Sequence, residues 1–248
     1  KFHDDWQREH DVPIHRPCIR FLGVWDTVSA IGVPFTGLKK FVVYPIASVF
    51  RCQHQHDLNA SLVHVRHALA IDECRMSFEL EMFNERLIAS LKERAAEAAA
   101  EEGGTPADCL ESVEQVWFAG VHSNVGGGMP KKGLERVSLH WMMCEAADKG
   151  LRFDEDGMRQ ALQGANVHSK LYDSRAGLAM YYRFRARDVE SLCALGGTDP
   201  KIHGTALDRI RRSSEGYAPI NLPARYRTVH PVTRELSCLE DEDSSIRK

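Results

Sequence analysis

The sequence predicts an α/β fold, a mostly parallel sheet flanked by helices, and three observations predict it. Two continuous apolar runs, "CIRFLGVWDTV" at 18–28 and "EQVWFAGV" at 114–121, have the length and composition of strands buried on both faces. Between and after them lie stretches whose apolar residues recur at helical spacing. The resulting order of strand, helix, helix, strand, helix is that of strands joined by helical crossovers, which makes the strands parallel.

Taken in order, residues 1–17 are polar, contain Pro13 and Pro17, and read as an N-terminal loop segment. The first apolar run is bounded by Pro17 and by the small residues from Ser29 to Gly32. In "HDLNASLVHVRHALAIDECR" at 56–75, apolar residues at 58, 62, 65 and 69 predict a helix, with Asp57 or Asn59 as its cap. "FNERLIASLKERAAEAAAEEGG" at 83–104 is rich in strong helix formers and predicts a second helix, stopped by Gly103 and Gly104. "GLERVSLHWMMCEAADKG" at 133–150 predicts a third, apolar at 134, 137, 141 and 144 and ended by Gly150. Further on, "GLAMYYRFRARDV" reads as a strand or short helix, and "IHGTALDRIRRSSEGYAPINLP" as a helix followed by a proline-bearing loop. The acidic run "LSCLEDEDSSIRK" reads as a flexible tail. This divides the chain into an N-terminal segment 1–17, one domain over 18–235 and a tail 236–248.

With 248 residues, 43% hydrophobic and 27% charged, the chain has the composition of a globular protein. Its net charge of -3 carries no basic footprint, which speaks against a nucleic-acid partner. Seven cysteines, an odd number with no Cys-x-x-Cys pair, predict free thiols rather than a disulfide framework or zinc ribbon. The longest apolar stretch, "FVVYPIASVF" at 41–50, is half the roughly 20 residues a spanning helix needs. The chain opens on "KFHDDWQREHDVP" with no initiator Met, from which we expect a fragment or processed product.

The chemistry gathers at strand ends. One predicted strand finishes in Trp25-Asp26-Thr27 and another in Gly120-Val121-His122-Ser123. In a parallel sheet, residues beyond the carboxyl ends of the strands line the ligand crevice. Asp26 and His122 therefore belong to one rim, as an acid that orients an imidazole and an imidazole that acts as general base. The glycines 126–128 allow the following loop to turn sharply. Each residue also has a plain structural reading: Asp26 as a helix cap, His122 as loop filler.

"FLGVWDTVSAIG", "HALAIDECRMSFE", "EQVWFAGVHSNVGGG" and "LHWMMCEAADKGLRFD" resemble an uncharacterised α/β-hydrolase family, domain of unknown function 2235, whose relatives include type VI secretion phospholipase effectors. The resemblance spans most of residues 19–223. It implies an α/β-hydrolase-like fold and a serine-type ester hydrolase, lipase- or phospholipase-like, with no cofactor. It makes Asp26 the triad acid and His122 the triad histidine, acting on a lipid or other ester. It also implies synthesis in the cytoplasm, delivery into a target cell by a type VI system, and an immunity or secretion partner protein.

Two departures stand out. Asn124 occupies a position where the family usually has Asp, and no Gly-x-Ser-x-Gly elbow occurs in the 248 residues. Ser123 follows the histidine directly and lies in no elbow context. The expectation is that the first strands and the nucleophile elbow are missing and that this chain alone is inactive. The rival is a non-catalytic pseudo-hydrolase serving as an interaction protein. Three further features invite a reading. "GLKKFVVYPIASVFR" at 37–51 reads as a buried insertion or as a membrane-touching lid. The histidines of "CQHQHD" at 52–57 and "HVRH" at 64–67 invite a metal site but lack a partner pair of the zinc kind. Asp72, Glu73 and Arg75 in "AIDECR" read as an ion-pair network at a helix end, with either carboxylate an alternative orienter of His122.

Overall fold

The computed structural model describes residues 19–28, 62–86, 88–90, 93 and 111–230. The N-terminal segment 1–17, the apolar stretch 37–51, the histidines of 52–57 and the tail 236–248 lie outside the described residues.

Within them, β1 (Ile19–Trp25), β2 (Leu62–Ala70) and β3 (Ser112–Phe118) are joined by two short strands, β4 (Lys201–His203) and β5 (Arg227–Val229). They form one sheet in the order β1-β2-β3-β4-β5, parallel throughout. Between β3 and β4 run α1 (His122–Gly126), α2 (Gly133–Asp148), α3 (Glu155–Leu162), a 3₁₀ turn (Gly177–Tyr181) and α4 (Val189–Leu195). Between β4 and β5 lie α5 (Gly204–Arg211) and a second 3₁₀ turn (Ser214–Gly216). The α/β class expected from the sequence is the one found. No helix among the described residues is long and apolar enough to cross a membrane.

Period-two alternation sends the strand side chains into two cores. Leu69, Ile71, Trp117 and Ala119 pack with Ile202 against Val189 and Cys193 of α4 and Ala206 of α5. Their neighbours Ala68, Ala70, Val116 and Phe118 face the other way, onto Val125 of α1 and Val137, Trp141 and Met142 of α2. Helices thus cover both faces, which is why β3 reads as an unbroken apolar run, while in β1 Phe21, Leu22 and Trp25 are partly buried. On α2 the expected positions Leu134, Val137 and Trp141 are buried, and Gly150 follows the helix with a left-handed φ of 91°.

The helix expected over 56–75 is instead β2, with the residues before 62 outside the described ones. Apolar residues at 65 and 69 fit a helical stripe, but they share one face of a strand equally well. Polar residues hid the alternation, because His64, Arg66 and His67 are buried in mid-sheet with partners waiting for them. His64 Nδ1 lies 3.0 Å from Ser112 Oγ, Arg66 donates to Ser112 Oγ at 3.0 Å and to the Glu145 carboxylate, and His67 Nδ1 reaches Gln115 Oε1 at 3.4 Å. On a strand His64 and His67 point to opposite faces, so they cannot share a metal as they would across one helix turn. No three His, Cys, Asp or Glu side chains among the described residues are gathered for a metal. The second expected helix is helical at 85, 86, 88–90 and 93. "GLAMYYRFRARDV" holds the first 3₁₀ turn, while β4 and β5 are too short to have left a pattern in the sequence. Among the described residues, Cys74, Cys144 and Cys193 are in no disulfide.

The two-sided core sets a contrast in stability. Leu69→Ala, wholly buried near the carboxyl end of β2, is expected to cost about 2–5 kcal/mol. Leu178→Ala, on the exposed 3₁₀ turn, should stay within about 0.5 kcal/mol. Urea midpoints at unchanged slope measure both.

Candidate active site

Because β1, β2 and β3 run parallel and side by side, the residues past their carboxyl ends meet on one rim. Asp26 follows β1 with φ 42°, a left-handed conformation that Asp and Asn tolerate best after glycine. Its backbone is pinned from both sides. The Asp26 N–H donates to Ala68 O at 2.8 Å, and the Thr27 N–H donates to His67 Nε2 at 3.1 Å. Since Nε2 of His67 accepts from an amide, the proton of its neutral ring sits on Nδ1, towards Gln115. Burial lowers the His67 pKa to about 4, so it stays neutral beneath the acid.

Asp26 is wholly buried and collects four donors. Oδ1 accepts from the Ala70 N–H at 2.8 Å and from Arg187 Nη1 at 2.5 Å. Oδ2 accepts from Arg187 Nη2 at 3.0 Å and faces His122 Nδ1 at 2.8 Å. Burial alone would raise this carboxyl. The hydrogen bond from His122, then the charge and hydrogen bonds of Arg187, outweigh burial and hold its pKa at about 2. With an ionised carboxylate as partner, Nδ1 of His122 carries the proton.

His122 opens α1, with its side chain 30% exposed. Among the described residues nothing hydrogen-bonds its Nε2, the ring nitrogen remote from Asp26. Phe78 packs edge-on against the ring at 5.4 Å between centroids. The sequence thus named two residues, Asp26 and His122, and the fold brings them into direct contact.

Asp72 and Glu73, read as a helix end, instead stand just past β2 and brace the same rim. Glu73 is buried, accepts the His122 N–H at 3.2 Å and grips the Arg75 guanidinium at 2.9 and 2.8 Å. Burial pushes its carboxyl up, but the hydrogen bonds from Arg75 more than reverse that and leave it lowered. The orienting contact to the His122 ring therefore comes from Asp26, and Glu73 holds the backbone instead. Asp72 Oδ2 accepts from the Gly120 N–H at 2.6 Å and from Tyr217 Oη at 2.9 Å, and burial raises its pKa. Gly120 has φ 123°, and a Cβ there would lie 2.5 Å from Asn124 Cβ. A glycine is required for β3 to turn into α1.

Asn124 is buried, and its amide is used at both ends. Its Nδ2 donates to Lys170 O at 3.4 Å and its Oδ1 accepts from the Tyr172 N–H at 3.1 Å. A carboxylate cannot make the first bond, which gives Asn a structural reason here. Ser123 is the next residue of α1, and successive helical side chains do not face the same way. After α1, Gly127 and Gly128 take left-handed φ values of 96° and 104°, the sharp turn expected of them. Beside the rim opens a cleft of about 490 Å³, lined by Asp72, Glu73, Cys74, Phe184, Tyr217 and Ile220 among others.

Sequence reasoning missed Arg187, which lies 161 residues from Asp26 and in a run rich in arginine. No local spacing marks it out. Its only trace is that "YYRFRARDV" spends an arginine directly before Asp188 and the buried Val189, where α4 begins.

The family model described as "T6SS, Phospholipase effector Tle1-like, catalytic domain" matches residues 2–145, more than half the chain and inclusive of Asp26 and His122. Comparison with curated proteins and with solved structures finds no match.

Two outcomes are expected from this geometry. Arg187→Met strands a buried carboxylate and should cost about 3–5 kcal/mol, much of it regained in the Asp26→Asn/Arg187→Met pair. A double-mutant cycle in urea measures the coupling. Secondly, the unfolded chain binds a proton on His67 near pH 6.5, whereas the folded chain does so only near 4. Stability should therefore fall as pH drops through that window. His67→Gln should flatten the fall in urea midpoints measured at successive pH values.

Proposed function

The chain belongs to the Tle1-like phospholipase effector catalytic domain family of type VI secretion, and from that premise we propose that it is a serine-type ester hydrolase acting on lipid esters, with Asp26 and His122 as triad acid and base. The observation that carries the reading is the 2.8 Å contact between a buried, ionised Asp26 and Nδ1 of His122, which leaves Nε2 open on a half-exposed ring.

The chemistry follows from that contact. A serine hydroxyl oxygen attacks the acyl carbon, and its proton passes to Nε2 of His122. The imidazolium so formed is stabilised by Asp26 across the Nδ1–H bond. When the tetrahedral intermediate collapses, the bond to the leaving alcohol breaks and His122 returns the proton to that oxygen. Water then repeats the sequence on the acyl-serine, with His122 again taking and giving one proton. No metal or organic group enters these steps.

The 248 residues contain no Gly-x-Ser-x-Gly, so the reading requires a hydroxyl supplied from outside them, and it makes the 248-residue chain inert by itself. Delivery into a target cell and an immunity protein that blocks the rim belong to the same proposal. In the natively produced protein, His122→Ala should lower ester hydrolysis by roughly six orders of magnitude in kcat, as loss of a triad histidine does. Asp26→Asn should lower it by about four, since Asn leaves the ring in the wrong tautomer. Both are read on a short-chain p-nitrophenyl ester and on phospholipid vesicles. A native protein inert on every ester, and unchanged by His122→Ala, would sink the hydrolase in favour of a non-catalytic scaffold.

A further inference from the structure

The run 174–187 crosses the rim beside His122 and carries four arginines and no carboxylate. Arg187 is spent inside the molecule, on Asp26. Arg183 and Arg185 are exposed and Arg175 is half-buried. The 3₁₀ turn within this run buries none of its residues. Leu178 is 90% exposed, and Met180, Tyr181 and Phe184 are exposed as well. None of the four belongs to a core cluster. Phe184 also lines the cleft that Ile220 lines, and Ile220 is 82% exposed, so the apolar face continues beyond the turn.

This face is anchored to the site. The Met76 N–H donates to Arg183 O at 2.9 Å and the Arg185 N–H to Cys74 O at 2.8 Å, an antiparallel bridge that ties Phe184 to Arg75. Tyr182 packs edge-on against Phe78, which packs edge-on against His122. Arg175 Nε donates to Tyr182 O at 3.0 Å. The nearest acids in sequence, Asp173 and Asp188, border the run; Asp173 accepts the Arg175 N–H, and Asp188 binds Ser191 foremost and also feels the charge of Arg185.

We propose that this face is where the protein lies on an anionic lipid surface. Leu178, Met180, Tyr181 and Phe184 enter the headgroup–acyl boundary, and Arg183 and Arg185 engage phosphate groups. Aliphatic and aromatic side chains beside arginines suit that boundary, where an apolar body needs cover and a cationic head needs anions. A second copy suits it poorly, because a two-fold interface sets the patch against itself and brings the arginine rows together. The proposal rests on the hydrolase reading for its purpose, since it brings lipid to within two aromatic rings of His122. Its binding test does not depend on turnover.

The test is flotation of the natively produced protein with vesicles, in a His122→Ala background so that no lipid is consumed. Vesicles of phosphatidylcholine alone are compared with vesicles containing phosphatidylglycerol. Binding should favour the anionic vesicles and weaken with salt. A basic residue near such a surface contributes about fivefold in affinity, so Arg183→Gln/Arg185→Gln should lose about 25-fold. Leu178→Ser/Met180→Ser should weaken binding to both vesicle types. In the His122-intact protein, neither pair should change hydrolysis of a water-soluble ester. Vesicle binding equal to the parent in both variants would overturn the proposal. So would a vesicle-free dimer, seen by light scattering, that Leu178→Ser/Met180→Ser dissolves. If the His122-intact protein hydrolyses no ester while the binding pattern appears, the surface stands and the hydrolase reading alone falls.

Discussion

A carboxylate stripped of water is stable only where its donors are already in place, and Asp26 receives its donors from three distant parts of the chain. Ala70 at the end of β2 supplies an amide, His122 at the start of α1 an imidazole, and Arg187 before α4 a bidentate guanidinium. None of them neighbours Asp26 in sequence. The pairing therefore ties β1 to β2, to the turn after β3, and to the segment that leads into α4. The rest of the rim has its geometry because this knot is closed. The histidine's hydrogen bond and the arginine's charge keep the acid ionised in a dry place, the acid sets the tautomer of the histidine, and the histidine is left with one nitrogen facing outward.

The carboxylates on this rim divide the labour. Asp26 touches the imidazole ring, while Glu73 touches only the backbone of the same residue. Asp72, one residue earlier, secures the glycine at the β3 turn and a tyrosine from beyond α5. Similar burial thus yields opposite titration behaviour: the His122 hydrogen bond together with Arg187 lowers Asp26 and the Arg75 hydrogen bonds lower Glu73, whereas an amide and a phenol do not offset burial at Asp72, which stays raised. Chemical role follows the donor set and not the residue type.

What the sequence disclosed follows the same logic. β3 and α2 were legible because burial on both faces, or on one helix stripe, writes a long apolar pattern, and β1 because its partly buried run is apolar throughout its second half. Asp26 and His122 were legible because each stands directly after such a run. β2 was not, since three polar residues within it are satisfied across the sheet, and that compensation is visible only once Ser112, Gln115 and Glu145 are in place. Arg187 was not legible either. Its signal is a contact over 161 residues, and in one dimension it is indistinguishable from the surface arginines beside it.

The position of Arg187 has a bearing on how the molecule can be divided. Acid and histidine both precede the end of α2 at Asp148, and that portion contains three of the five strands. Its counter-ion lies beyond, past α3 and the first 3₁₀ turn, and reaches Asp26 only when the last third of the chain is folded onto the sheet. A piece ending after α2 keeps Asp26 and His122 on paper but exports an unpaired buried charge. A dissection boundary that keeps Arg187 with Asp26 therefore falls after α4, and one that also keeps Ile202 and Ala206 in the core falls after α5.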